Sequence, residues 1–228
     1  MNTSLTRLSC ALILFAVAGC AAVPVAPPVA LESRHGFTVR GDVTQEVVDK
    51  LDRILDDMEP DPVSAIHSVE VTKDHSKCED CSAYCTPSGH ILFLDYSVNA
   101  ADTVFHEVAH AHHFARGCRS HVCSCGFCSE WRRIAGDVYG KGKDYRYGKP
   151  DDYPGYGMVS YYSSKSYWED VAEMTSDAYC YKTGRDSALR RLKAAGELDE
   201  DPRYGKKLKL LAKYGFISQK LCDEILKP

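Results

Sequence analysis

Apolar residues recur with a helical period between Thr44 and Met58, placing Val47, Leu51, Ile54, Leu55 and Met58 on one face. Asp42 or Thr44 can cap this helix, and Pro60-Asp61-Pro62 stops it. Three other segments read as strands. Residues 37–40 are short and 66–72 alternate weakly, while 91–96 are strongly apolar and entered through Pro87-Ser88-Gly89. A helix is predicted over 101–114. Residues 118–154 are loop-rich, with a short helix around 130–134. From 167 to 227 the pattern is helical, with breaks at Gly184, Gly196, Pro202 and Gly215. No internal repeat or further boundary appears, so the chain predicts one α+β domain over 36–228.

The N-terminus carries a different pattern. Arg7 precedes a short apolar run over 8–18, too short to span a bilayer, which takes about 20 apolar residues. The run closes on Val17-Ala18-Gly19-Cys20, which resembles the lipobox of bacterial lipoproteins. That resemblance implies a signal peptide over 1–19 and a lipid on Cys20 that holds the protein to a membrane. It also implies the outer membrane of a two-membrane bacterium, because Ala21 rather than Asp follows the cysteine, with the domain facing the periplasm or the surface. The alternative is an ordinary signal peptide cut elsewhere, for instance after Ala22. Residues 20–35, with Pro24, Pro27 and Pro28, read as a semi-extended tether.

Composition narrows the classes. With 228 residues, 44% of them hydrophobic and 26% charged, the chain has enough apolar content for a packed core and too mixed a pattern for a disordered, collagen-like or coiled-coil protein. Twenty-eight basic residues against 32 acidic ones give a net charge of −4, or −5 once Arg7 leaves with the signal. Such a chain offers no basic field to nucleic acid.

His106-Glu107-Val108-Ala109-His110 carries the chemistry: it is an H-E-x-x-H motif in a predicted helix. Residues four apart on a helix differ by about 40° in azimuth and about 6 Å in rise, so both imidazoles face one Zn²⁺. Glu107 lies about 60° from His110 and reaches a water on that ion, as a general base requires. His112 and His113 read as polar residues near the rim of the cleft, since His113 is too far along the axis to share the metal. A metzincin would need Gly at 113 and His at 116, where this chain has His113 and Arg116. The third ligand is therefore a carboxylate from a later helix. Glu130, Glu169 and Glu173 are the candidates, with Glu169 the favoured one. Glu169 and Glu173 lie one turn apart, so one can bind the metal while the other orients a ligand histidine.

The motif together with Gly157-Met158-Val159-Ser160-Tyr161-Tyr162 and Glu169-Asp170-Val171-Ala172-Glu173 resembles the lethal-factor-like zinc metallopeptidases. The resemblance covers roughly 90–180 of the chain. It implies a zincin-like fold with a small mixed sheet, an active-site helix and a mostly helical C-terminal part. It implies Glu169 as third ligand, Glu173 behind it, and Tyr162, seven residues before Glu169, as a donor to the oxyanion. It further implies that 91–96 is the sheet edge along which an extended peptide or protein substrate lies. Tyr161 is a neighbour able to take the role of Tyr162. The cysteine-rich stretch 118–128 has no counterpart in that family pattern.

Leaving aside Cys10 and Cys20, nine cysteines remain: Cys78, Cys81, Cys85, Cys118, Cys123, Cys125, Cys128, Cys180 and Cys222. Export favours disulfides within the 78–85 and 118–128 clusters. The alternative is a second, structural metal or an iron–sulfur site, with His121 as a further ligand. Cys180 and Cys222 are natural partners if the C-terminal helices pack together. The reading as a whole is a lipid-anchored zinc metalloendopeptidase. Its rival is a non-catalytic lipoprotein, stabilised by zinc and disulfides, that serves as an interaction or metal-handling module. Oligomeric state and substrate sequence leave no trace in the chain.

Overall fold

A five-stranded mixed sheet dominates the N-terminal half, in the order β1-β2-β3-β5-β4. The strands are β1 (Val29–Glu32), β2 (Thr38–Gly41), β3 (Ser68–Thr72), β4 (Ala83–Cys85) and β5 (His90–Leu94). β2, β3 and β5 run parallel, and β1 and β4 are added antiparallel at the two edges. This computed structural model describes residues 29–78, 80–118, 123–139 and 153–227. The segment read as a signal peptide, Cys20 and His121 lie outside the described residues.

The helix predicted over 44–58 is α1 (Gln45–Leu55). Thr44 caps it by accepting the Val47 N–H, and Val48, Leu51, Ile54 and Leu55 are buried. Each such side chain contributes about 1.5–3 kcal/mol by leaving water. Pro60-Asp61-Pro62 does more than stop α1. It opens a short helix, α2 (Pro60–Ser64), because proline fits the first turn, where its missing N–H costs nothing.

Two expectations about the sheet need correction. Residues 29–35 are not tether: Val29–Glu32 pairs with β2, and the turn after it is tied to α1. There the Ser33 hydroxyl and the Arg34 N–H both donate to the buried Asp52 carboxylate, at 2.5 and 3.1 Å. Nor is the 91–96 segment an edge. β5 pairs with β3 on one side and β4 on the other, and its continuous Ile91-Leu92-Phe93-Leu94 run is buried on both faces. Ile91 and Phe93 join the main core, while Leu92 and Leu94 pack with Cys78 on the opposite face. The edge is the three-residue β4, held by Tyr84 opposite Leu92.

The remaining helices are α3 (Ala101–Ala115), α4 (Gly126–Ala135), α5 (Tyr167–Thr183), α6 (Ala188–Ala195), α7 (Pro202–Lys213) and α8 (Gln219–Leu226). Gly184 and Gly196 end α5 and α6 in left-handed conformations, at φ 78° and 75°, and Pro202 opens α7. The helices α3 and α5 pack side by side, with α3 also resting on the sheet. Among the described residues no helix is long and apolar enough to cross a membrane.

Candidate metal centre

The spacing of His106 and His110 on α3 turns both rings to one side, where α5 crosses. His106 Nε2, His110 Nε2 and Glu169 Oε2 form a nearly equilateral triangle, with separations of 3.1, 3.1 and 3.2 Å. A point about 1 Å outside its plane is about 2.0–2.1 Å from all three, the bond length of imidazole and carboxylate to a small divalent ion. These three residues therefore form a group able to hold a metal.

The chemistry of the donors agrees with the geometry. His106 Nδ1 lies 2.8 Å from Glu173 Oε1, so the ring proton belongs there and Nε2 presents its lone pair to the triangle. Glu173 Oε2 in turn accepts the Ser160 hydroxyl at 2.5 Å. Burial works against positive charge on His106, but hydrogen bonds to Glu169 and Glu173 outweigh it and raise its pKa to about 10, so a proton and a metal ion compete for Nε2 at neutral pH. Burial likewise opposes ionisation of Glu169, and its hydrogen bonds to His106 and His110 hold the carboxyl well below the usual range. The triangle is thus a place where positive charge is welcome, and a cation there satisfies three converging acceptors at once.

Glu107 is 5% exposed, and its Oε2 finds no hydrogen-bond partner among the described residues. Burial raises its pKa, against the pull of the two histidines. A desolvated carboxylate with one free oxygen beside a metal group is equipped to take a proton. It lines an open cleft of about 620 Å³ together with His106, Tyr162, Ser82, Ala83 and Arg191. Ser82 and Ala83 bring the β4 edge to this cleft.

Two short devices orient α5 and the loop before it. Ser166 caps α5 by accepting the Glu169 N–H at 3.2 Å. Gly157, at φ 71°, lies so close to α7 that a Cβ would stand 2.6 Å from Arg203 Cβ. Its carbonyl accepts from Lys207 Nζ at 2.6 Å, and the same ammonium donates to Asp170 Oδ2 at 2.6 Å. Trp131 Nε1 and the Tyr139 hydroxyl also donate to Asp170 Oδ2, which locks α4, α5 and α7 together one residue from Glu169. Asp170 and Lys207 were invisible as a pair in the sequence, being 37 residues apart.

Among the other residues singled out from sequence, Tyr162 opens a 3-10 turn at the cleft, its ring 5.9 Å from that of His106 and under Lys165 Nζ at 4.1 Å. Tyr161 packs instead against Tyr153. Glu130 is no ligand: it sits on α4 among Arg133 and Lys213. His112 and His113 are not rim residues. Both are buried: His112 lies on another face of α3, against the Tyr214 carbonyl and Phe216, and His113 lies further along the helix toward its C-terminal end, against Cys128. The helix is covered on more than one face, so a polar residue on it need not look into the cleft.

The cysteines divide. Cys78 and Cys81 form a disulfide, while Cys85, Cys118, Cys123, Cys125, Cys128, Cys180 and Cys222 are free. The expected Cys180–Cys222 bond is absent because Cys180 turns toward the cleft, whereas Cys222 is enclosed in the helical core. No protein family, curated protein or solved structure matches this chain.

Proposed function

We propose that the protein is a zinc-dependent metalloendopeptidase, exported and held at a membrane by lipid on Cys20. One observation carries the reading: His106, His110 and Glu169 converge on a single point beside Glu107, a buried carboxylate with a free oxygen. A purely structural ion has no use for that base.

Zn²⁺ held by His106, His110 and Glu169 would polarise a scissile carbonyl and acidify water. Glu107 Oε2 takes the proton of the attacking water and hands it to the departing amine. The Tyr162 hydroxyl donates to the oxygen that gathers negative charge. Glu173 and Ser160 hold the His106 ring so that Nε2 stays bare. The peptide itself pairs with β4, not β5. Leu94 N–H donates to the Ser82 carbonyl and Thr86 N–H to the His90 carbonyl, so residues 82, 84 and 86 bond inward to β5 and the backbone of Ala83 faces outward.

Digestion of a peptide library by the zinc-loaded protein tests this, with Glu107→Gln as comparison. The wild type cleaves, and the variant retains its zinc and loses turnover. A folded, zinc-loaded wild type that cleaves no peptide defeats the peptidase reading and leaves a non-catalytic module.

A further inference from the structure

The peptidase reading leaves one group of reactive side chains unused. Cys118, Cys123, Cys125 and Cys128 direct their sulfurs at a common centre, all within 4.8 Å of one another. Cys118 Sγ is 3.2 Å from Cys125 Sγ and 3.4 Å from Cys128 Sγ. None of the four is bonded to another, although Cys78 and Cys81 are joined in the same molecule. We propose that these four thiolates bind a second, structural Zn²⁺ at the C-terminal end of α3, independently of what the His106 centre does.

The spacing suits one ion. Tetrahedral zinc–sulfur bonds of about 2.3 Å put neighbouring sulfurs about 3.8 Å apart, within the range these four span. They stand too close together to enclose a multi-iron cluster. Binding to the four thiols breaks four S–H bonds and forms four zinc–sulfur bonds, and four protons pass to solvent.

Burial disfavours the thiolate at Cys118 and Cys128, but several neighbours suit anionic sulfur. Cys125 is the N-cap of α4, and its Sγ accepts the Cys128 N–H at 3.4 Å. His113, 1% exposed, sets Nε2 3.3 Å from Cys128 Sγ, and its Nδ1 has no hydrogen-bond partner among the described residues. The proton therefore belongs on Nε2, as a donor to a thiolate. Arg132 donates to the Cys123 carbonyl, and Arg116 lines a surface hollow together with Cys118 and Cys125. Both offset the negative charge of a four-thiolate site.

Such an ion would brace the C-terminal end of the catalytic helix. Cys118 follows the end of α3, and Cys125 and Cys128 start α4. The Arg132 guanidinium stacks on Tyr167 at 5.0 Å, and the His113 ring lies 6.3 Å from Trp168. Those two residues open the helix that delivers Glu169.

The test combines metal content with thiol state in the full chain, purified without added metal. Alkylation after denaturation, with no reductant present, should label all four cysteines. The His106→Ala/His110→Ala variant should keep about one zinc per chain and lose it in Cys125→Ser/Cys128→Ser. Cobalt put in place of zinc should give the intense near-ultraviolet thiolate-to-metal absorption, in the wild type as well as in the histidine variant. Four unlabelled cysteines would mean two disulfides and would overturn the proposal. Four labelled cysteines with neither zinc nor that absorption would overturn it equally.

Discussion

At the scale of single residues, the two histidines of the metal group differ: His110 Nδ1 has no hydrogen-bond partner among the described residues, whereas His106 Nδ1 has one that fixes which nitrogen is bare. For His106 that partner is Glu173, itself tied to Ser160. Glu173→Gln should weaken zinc binding about 10- to 100-fold, and Ser160→Ala should act in the same direction. Competition with a chromophoric chelator measures both, and unchanged affinity in both variants would remove Glu173 from the site. Tyr162→Phe probes a different step. It should lower kcat by about 10²- to 10³-fold with zinc content unchanged. Full turnover in that variant would make Tyr162 a packing residue of the cleft wall.

At the scale of elements, one helix junction rests on the buried Lys207–Asp170 pair, with both side chains fully enclosed. Lys207→Met leaves the Asp170 carboxylate without its counter-ion and should cost about 3–5 kcal/mol in denaturant unfolding. A loss below about 1 kcal/mol would show that Trp131 and Tyr139 suffice. Elements of this length were largely legible beforehand, because period and caps are local signals. Thr44 before α1 and the glycines after α5 and α6 are examples. The His106–His110 spacing was legible for the same reason. The rest depended on strand pairing and burial rather than on local period. β1 looked like a continuation of the proline-rich stretch until β2 paired with it, and β4 is too short for alternation to register. The apolar run of β5 carried evidence against an edge, since an edge strand rarely buries four consecutive side chains. His112 and His113 were misplaced because nothing local reveals that α3 is buried on several faces. Glu169 was the favoured one of three later carboxylates and the resemblance agreed, but its convergence on His110, 59 residues away, is a product of the fold.

At the scale of the whole molecule, the metal group ties α3 to α5 and so couples binding to stability. Zinc at about a thousand times its dissociation constant adds about 4 kcal/mol. For a domain of this size a chelator should then lower Tm by about 8–16 °C, reversed by added zinc. A melting curve indifferent to chelation would argue against any tightly held ion. Anchoring is tested separately: Cys20→Ser should abolish incorporation of radiolabelled fatty acid and release the protein from membranes, and continued labelling would defeat the lipid assignment. The most direct measurement of the central claim is anomalous diffraction at the zinc edge from crystals of the protein. The account predicts a peak capping the triangle of His106 Nε2, His110 Nε2 and Glu169 Oε2. Zinc-containing crystals with no peak at that point would contradict it.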